Sequence, residues 1–182
     1  MTTFQDGLSR MAKRVALLAD GRNSDLYAGF CAVKLAKRMD ATLFSLLIVP
    51  DRLSLKGGAS GEEGWNDFSP SSFLQLVSGL CGLEKVSSSY HLLETGADEN
   101  LVEFLVSQKI SCLIAGTVSD EDFDKKREWS ARIVNKVCSH TSWYFGELTV
   151  FLARPWSDEC FKKVLRQINA DCTLYPIEIA SA

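Results

Sequence analysis

Short apolar runs alternate along this chain with stretches whose apolar residues recur at helical spacing, and no other feature of the sequence constrains its fold so tightly. A run apolar at consecutive positions buries both faces if it is a strand, so it needs cover on both sides. Helices inserted between successive strands supply that cover, and right-handed crossovers of this kind leave the strands parallel. The expected class is therefore α/β, with an open, mostly parallel five-stranded sheet and helices on both faces.

The runs predict strands at 14–20, 43–49, 87–93, 111–115 and 148–153, in flavodoxin-like order. The first, Arg14 to Asp20, ends in a turn-forming Asp20-Gly21 pair. Asn23 or Ser24 then suits the cap of a helix whose inner face is Leu26, Phe30, Val33 and Ala36. Ser69-Pro70 starts a second helix, with Phe73, Leu76, Val77 and Leu80 on one side and Gly82 at its end. Leu101, Phe104 and Leu105 mark a third, and Trp129, Ile133, Val134 and Val137 a fourth. Ser87, Ser88 and Ser89 make the third strand the weakest of the five. Between Arg52 and Ser72, Gly, Ser and charged residues dominate, as in a mobile loop. A break after Arg154-Pro155 divides the chain into an α/β domain at 1–154 and a helix-strand appendage at 155–182. In the appendage Phe161, Val164, Leu165 and Ile168 suit a helix, and Pro176 confines the strand near 173–179 to a sheet edge.

At 182 residues and 46% hydrophobic content, the chain can bury one core. Its net charge of -3 offers no basic field for a nucleic acid or an anionic membrane. No apolar run reaches the ~20 residues of a bilayer span, and the first residues do not resemble a signal peptide, so a soluble, cytoplasmic protein is expected. None of Cys31, Cys81, Cys112, Cys138, Cys160 and Cys172 has the spacing of a zinc or redox pair, and Cys31, Cys112 and Cys138 suit reduced core positions. His91, in a strand, and His140, near a helix end, have no acid or nucleophile at a catalytic spacing, so both suit structural roles. Trp143, Tyr144 and Phe145 suit either a partner surface or packing against the appendage.

In an open parallel sheet ligands bind beyond the C-terminal strand ends, which directs attention to Asp20-Gly21, Val49-Pro50-Asp51 and Gly116-Thr117. There the sequence resembles the universal stress protein family. A first strand ending Ala19-Asp20-Gly21, a second ending Leu46-Leu47-Ile48-Val49-Pro50-Asp51, the turn Gly96-Ala97-Asp98 and the strand Cys112-Leu113-Ile114-Ala115-Gly116-Thr117 are similar to that family's landmarks, in order, from about Lys13 to Arg154. The resemblance implies a flavodoxin-like, adenine nucleotide alpha hydrolase-like fold. It also implies a nucleotide site at Asp20, Val49, Gly116, Thr117 and Ser130, with Asp20 near adenine and ribose and Val49 beside the base. Core packing explains Val49 more simply, and a turn carboxylate explains Asp20 equally well.

The family's phosphate motif departs here. Beyond Gly116, the positions where binding members carry two further glycines and a serine hold Ser119, Trp129 and Ser130, so one glycine and the serine remain. An indole blocks close backbone approach to phosphate, and Asp120, Glu121, Asp122 and Asp124 oppose its charge. Lys125, Lys126 and Arg127 offset them in part. Two function classes stay open: a non-enzymatic stress-response or regulatory binding module with ATP binding weak or lost, and an adenine nucleotide-binding stress protein, either an AMP/ATP sensor or a slow ATP hydrolase. No catalytic residue and no metal site is readable, and the one cofactor in view is an adenine nucleotide. A homodimer through the strand 148–153 and an unidentified protein partner are the expected associations.

Overall fold

Val15 to Ala19 are all buried because their side chains alternate between two separate cores, which makes this run the centre of the molecule. In the computed structural model, residues 13–49, 70–94, 98–143 and 148–154 are described. They form β1 (Lys13–Ala19), α1 (Asn23–Met39), β2 (Ala41–Val49), α2 (Pro70–Glu84), β3 (Ser88–Glu94), α3 (Asp98–Ser107), β4 (Cys112–Gly116), α4 (Asp120–Cys138) and β5 (Thr149–Ala153). Val15, Leu17 and Ala19 pack on α1 and α2 together with Leu43, Leu47 and Phe73. Ala16 and Leu18 pack on α3 and α4 with Leu46, Leu105, Leu113 and Ile133.

All strand pairs are parallel, with Leu17 opposite both Ser45 and Ile114. The five-stranded α/β sheet expected from the alternation is present, but its order is β3-β2-β1-β4-β5, which corrects the flavodoxin-like order. That order would place the third strand inside the sheet. Ser88, Ser89, Tyr90 and Leu92 are exposed, and a strand with so little to bury belongs at an edge. The order in which strands are added reverses between β1 and β4, and there the connections leave toward opposite faces.

Local signals place most element ends within two residues and miss three details. The N-cap of α1 is Arg22, one residue before Asn23, because Asp25 in the first turn accepts the Arg22 amide. Gly82 does not end α2. The helix runs to Glu84, where Lys85 adopts φ 57° and the Lys85 and Val86 amides close back on Gly82 and Cys81. Cys138 is exposed at the last position of α4, whereas Cys112 is buried and its thiol is pushed up to about 11 by burial. Trp143 is buried in the α3/α4 core, and the His91 ring packs against Phe44 and Phe104 at 5.9 and 4.6 Å. Tyr144, Phe145, most of the Gly/Ser-rich stretch and the appendage lie outside the described residues.

Candidate functional site

The turn after β1 is built around one carboxylate. Gly21 adopts φ 92°, a conformation that favours glycine, and the turn directs three successive amides inward. The Asp20, Gly21 and Arg22 N–H groups donate to Asp25 Oδ2 at 2.8, 2.9 and 3.1 Å. Asp25 is 1% exposed, and its Oδ1 is buried with no hydrogen-bond partner among the described residues. Burial, reinforced by the charge of Asp20, pushes the Asp25 carboxyl up to about 7. Burial acts on Asp20 in the same sense, yet the Arg22 guanidinium gripping it wins and holds it below its ordinary value.

The second wall comes from β4 and α4. Gly116 closes β4 against the start of α1 so tightly that a Cβ there would lie 2.6 Å from the Ser24 carbonyl carbon and oxygen. Its own carbonyl accepts from the Lys126 ammonium, whose pKa burial and the nearby Arg22 lower. The N-terminus of α4 is satisfied from within: Ser119 Oγ accepts the Asp122 amide at 3.1 Å, and Asp122 Oδ2 accepts the Val118 amide at 2.9 Å. Asp122 Oδ1 meanwhile accepts from Arg22 Nη1 at 3.0 Å, tying the first turn to the fourth helix.

Between these walls, at the C-terminal strand ends and on the α3/α4 side, opens a cleft of about 400 Å³. Leu18, Ile48, Leu93 and Leu101 form its apolar surface; Asp20, Asp25, Glu94, Asp98, Lys126 and Trp129 supply the rest. The indole Nε1 of Trp129 donates to Asp98 Oδ1 at 3.2 Å, joining α4 to α3 across the cleft. The volume falls within the usual range for small-molecule sites.

No family model matches the sequence, and no curated protein matches it. Solved structures do. A universal stress protein family member from Burkholderia pseudomallei is 17% identical with a TM-score of 0.50, over 79% of this chain and 97% of that one. A universal stress protein in complex with cAMP is 14% identical with a TM-score of 0.52, over 78% of this chain and 96% of that one. The chain has the universal stress protein fold. The likeness suggested by the strand-ending motifs thus holds at the level of architecture.

Within this universal stress protein fold, the five residues singled out from the sequence are placed unequally. Asp20 lines the cleft. Val49 ends β2 opposite Glu94, and its neighbour Ile48 is the residue that lines the cleft. Gly116 lies wedged against Ser24, and Thr117 is fully buried with its amide bonded to the Ala153 carbonyl at 2.9 Å. Ser130 is buried, and its hydroxyl donates to the Lys126 carbonyl at 2.6 Å, inside the helix. Asp25, Glu94, Asp98 and Lys126 escaped the sequence reading as site residues, and Trp129 entered it only as an obstacle. An acid in the first helical turn after an Asp-Gly pair was the one local signal for Asp25. The others carry none, since three different elements bring them together.

Proposed function

We propose that this chain is a non-enzymatic binding module of universal stress protein type, acting in a stress response, that does not hold MgATP tightly. One observation carries the reading. Where the start of α4 would receive phosphate, the Asp122 carboxylate already takes the Val118 amide and the Arg22 guanidinium. A triphosphate would have to displace that carboxylate and then lie beside Asp20. The residues present do not fit that group, and the Asp122 arrangement adds to the objection from the lost glycines. A second reading, an adenine nucleotide-binding stress protein, is favoured by the cAMP complex of a protein sharing this fold and by the cleft volume of about 400 Å³. In that reading the nucleotide would take the site that the family resemblance implies at Asp20, Val49, Gly116, Thr117 and Ser130, of which Asp20 lines the cleft.

Titration calorimetry with MgATP separates the two. Binding too weak to saturate at millimolar nucleotide supports the first reading, and a low-micromolar dissociation constant overturns it. Mass spectrometry of the freshly purified protein provides a second check, because a near-stoichiometric adenine nucleotide would favour the alternative. Among the described residues no helix is long and apolar enough to cross a membrane, in keeping with the cytoplasmic location we propose. We also assign the homodimer contact to β5, which is a sheet edge among the described residues and on which Phe151 is 48% exposed.

A further inference from the structure

Asp25 sets the chemistry of the cleft, because its Oδ1 accepts from no donor among the described residues, and the Asp20 carboxylate lies within hydrogen-bonding reach as the partner of any proton that Asp25 carries. Three amides occupy Oδ2, whereas Oδ1 is buried, belongs to a residue in the cleft wall and accepts from no described residue. Leaving a buried acceptor in this state is unfavourable, more so if it is charged, and a donor from a ligand would relieve that. The donor's charge follows from the neighbours. Among the described residues, Asp20, Asp25, Glu94 and Asp98 line the cleft against one lining cation, Lys126, which is committed to the Gly116 carbonyl. Arg22, beside them, is committed to Asp20 and Asp122. Trp129 adds an aromatic surface of the kind that attracts cations. Among the described residues no three acidic, His or Cys side chains converge as metal ligands do, and the apolar wall calls for an organic body.

We propose that this cleft binds an organic cation, an ammonium group on a small apolar body, which donates to Asp25 Oδ1 beside Asp20 while the body lies against Trp129 and the aliphatic wall. The proposal deepens the reading above and rests on its premise that the cleft is a binding site. A proton on Asp25 competes with the ammonium. The charged groups acting on Asp25 are Asp20 from its own turn and Lys126 from α4, while Arg22 reaches it through its backbone amide. Since the carboxyl titrates at about 7, binding tightens as the pH rises through that value.

Calorimetry on the full chain with phenethylamine, and with 2-phenylethanol as its uncharged counterpart, tests this directly. The ammonium should bind about tenfold more tightly at roughly pH 8, and the ratio should shrink about threefold at roughly pH 6. Asp25→Asn should abolish the preference. Its amide oxygen still accepts the three backbone N–H groups, and its NH₂ faces Asp20 where the ammonium would sit. If circular dichroism shows that variant unfolded, Glu94→Gln takes its place and should lower the ratio about twofold. Equal affinity for the two compounds, absence of binding by both, or a ratio indifferent to pH and to the folded variant overturns the proposal. Tight MgATP binding in the same assay would overturn the earlier reading alone, because the ammonium-to-alcohol ratio is measured independently of it.

Discussion

At Asp25 three backbone amides and a neighbouring carboxylate act on one group in opposite senses. Burial and Asp20 favour the protonated form, the amides favour the charged one, and the balance leaves the carboxyl at about 7. The folded state therefore holds a proton that the unfolded chain releases near its ordinary value of 3.8, so this group's contribution to stability falls as the pH rises from about 4 to 7. Asp20, with its pKa lowered, contributes in the other direction, and its share is lost only as the pH falls through the acidic range below. Urea unfolding should show Asp25→Asn gaining on the parent by on the order of 2 kcal/mol between about pH 5 and pH 7.5. A constant difference across that range would contradict the assigned shift. Gly116 is the other residue whose chemistry the packing dictates. A methyl group there meets Ser24 backbone atoms at 2.6 Å, and backbone cannot rotate aside as a side chain can. Gly116→Ala should cost about 3 kcal/mol or prevent folding, as read from the urea midpoint.

Helix ends decide how the elements are held. Ser119 caps α4 through the Asp122 amide, and Ser119→Ala should cost about 1 kcal/mol in chemical unfolding. The loss should loosen the Asp122 position as well, since the same turn presents that carboxylate to Arg22. At the C-terminal ends of α2 and α3, Lys85 and Lys109 adopt φ 57° and 55°, and the amides that follow bond back into the last turn. Glycine accepts this backbone without the steric cost of a Cβ. Lys85→Gly should accordingly raise stability by roughly 0.5–1 kcal/mol, and a loss of stability in the same unfolding assay would argue against the motif.

For the molecule as a whole, the two sheet edges differ. β3 presents Tyr90 and Leu92, exposed at 61% and 56%, flanked by serines. β5 places Val150 and Leu152 against the core while Phe151 remains 48% exposed on a strand that pairs only with β4 among the described residues. An apolar edge of this kind pairs or is covered in soluble proteins. Light scattering should therefore give a dimer for the full chain, and a chain stopped after Pro155 assigns the contact. A dimer retained after truncation places it on β5, a dimer lost places it on the appendage, and a full-length monomer overturns it.

The sequence by itself determined the succession of elements and the parallel class of the sheet, because periodicity and apolar runs report burial along one dimension. Its motifs also pointed to the end of the sheet at which the cleft opens, through Asp20 in its lining and Gly116 at the end of β4. The strand order was decided by tertiary structure, since pairing depends on which edges remain free; the serines of β3 hinted at its edge position without specifying its neighbour. The cleft followed the same rule. Asp25, Asp98 and Lys126 come from α1, α3 and α4, and the raised pKa of Asp25 and the lowered one of Lys126 arise from through-space burial and contact that no spacing along the chain encodes. Ser130 shows the converse: its position matches a phosphate-binding pattern, yet helical geometry directs its hydroxyl to the Lys126 carbonyl four residues earlier.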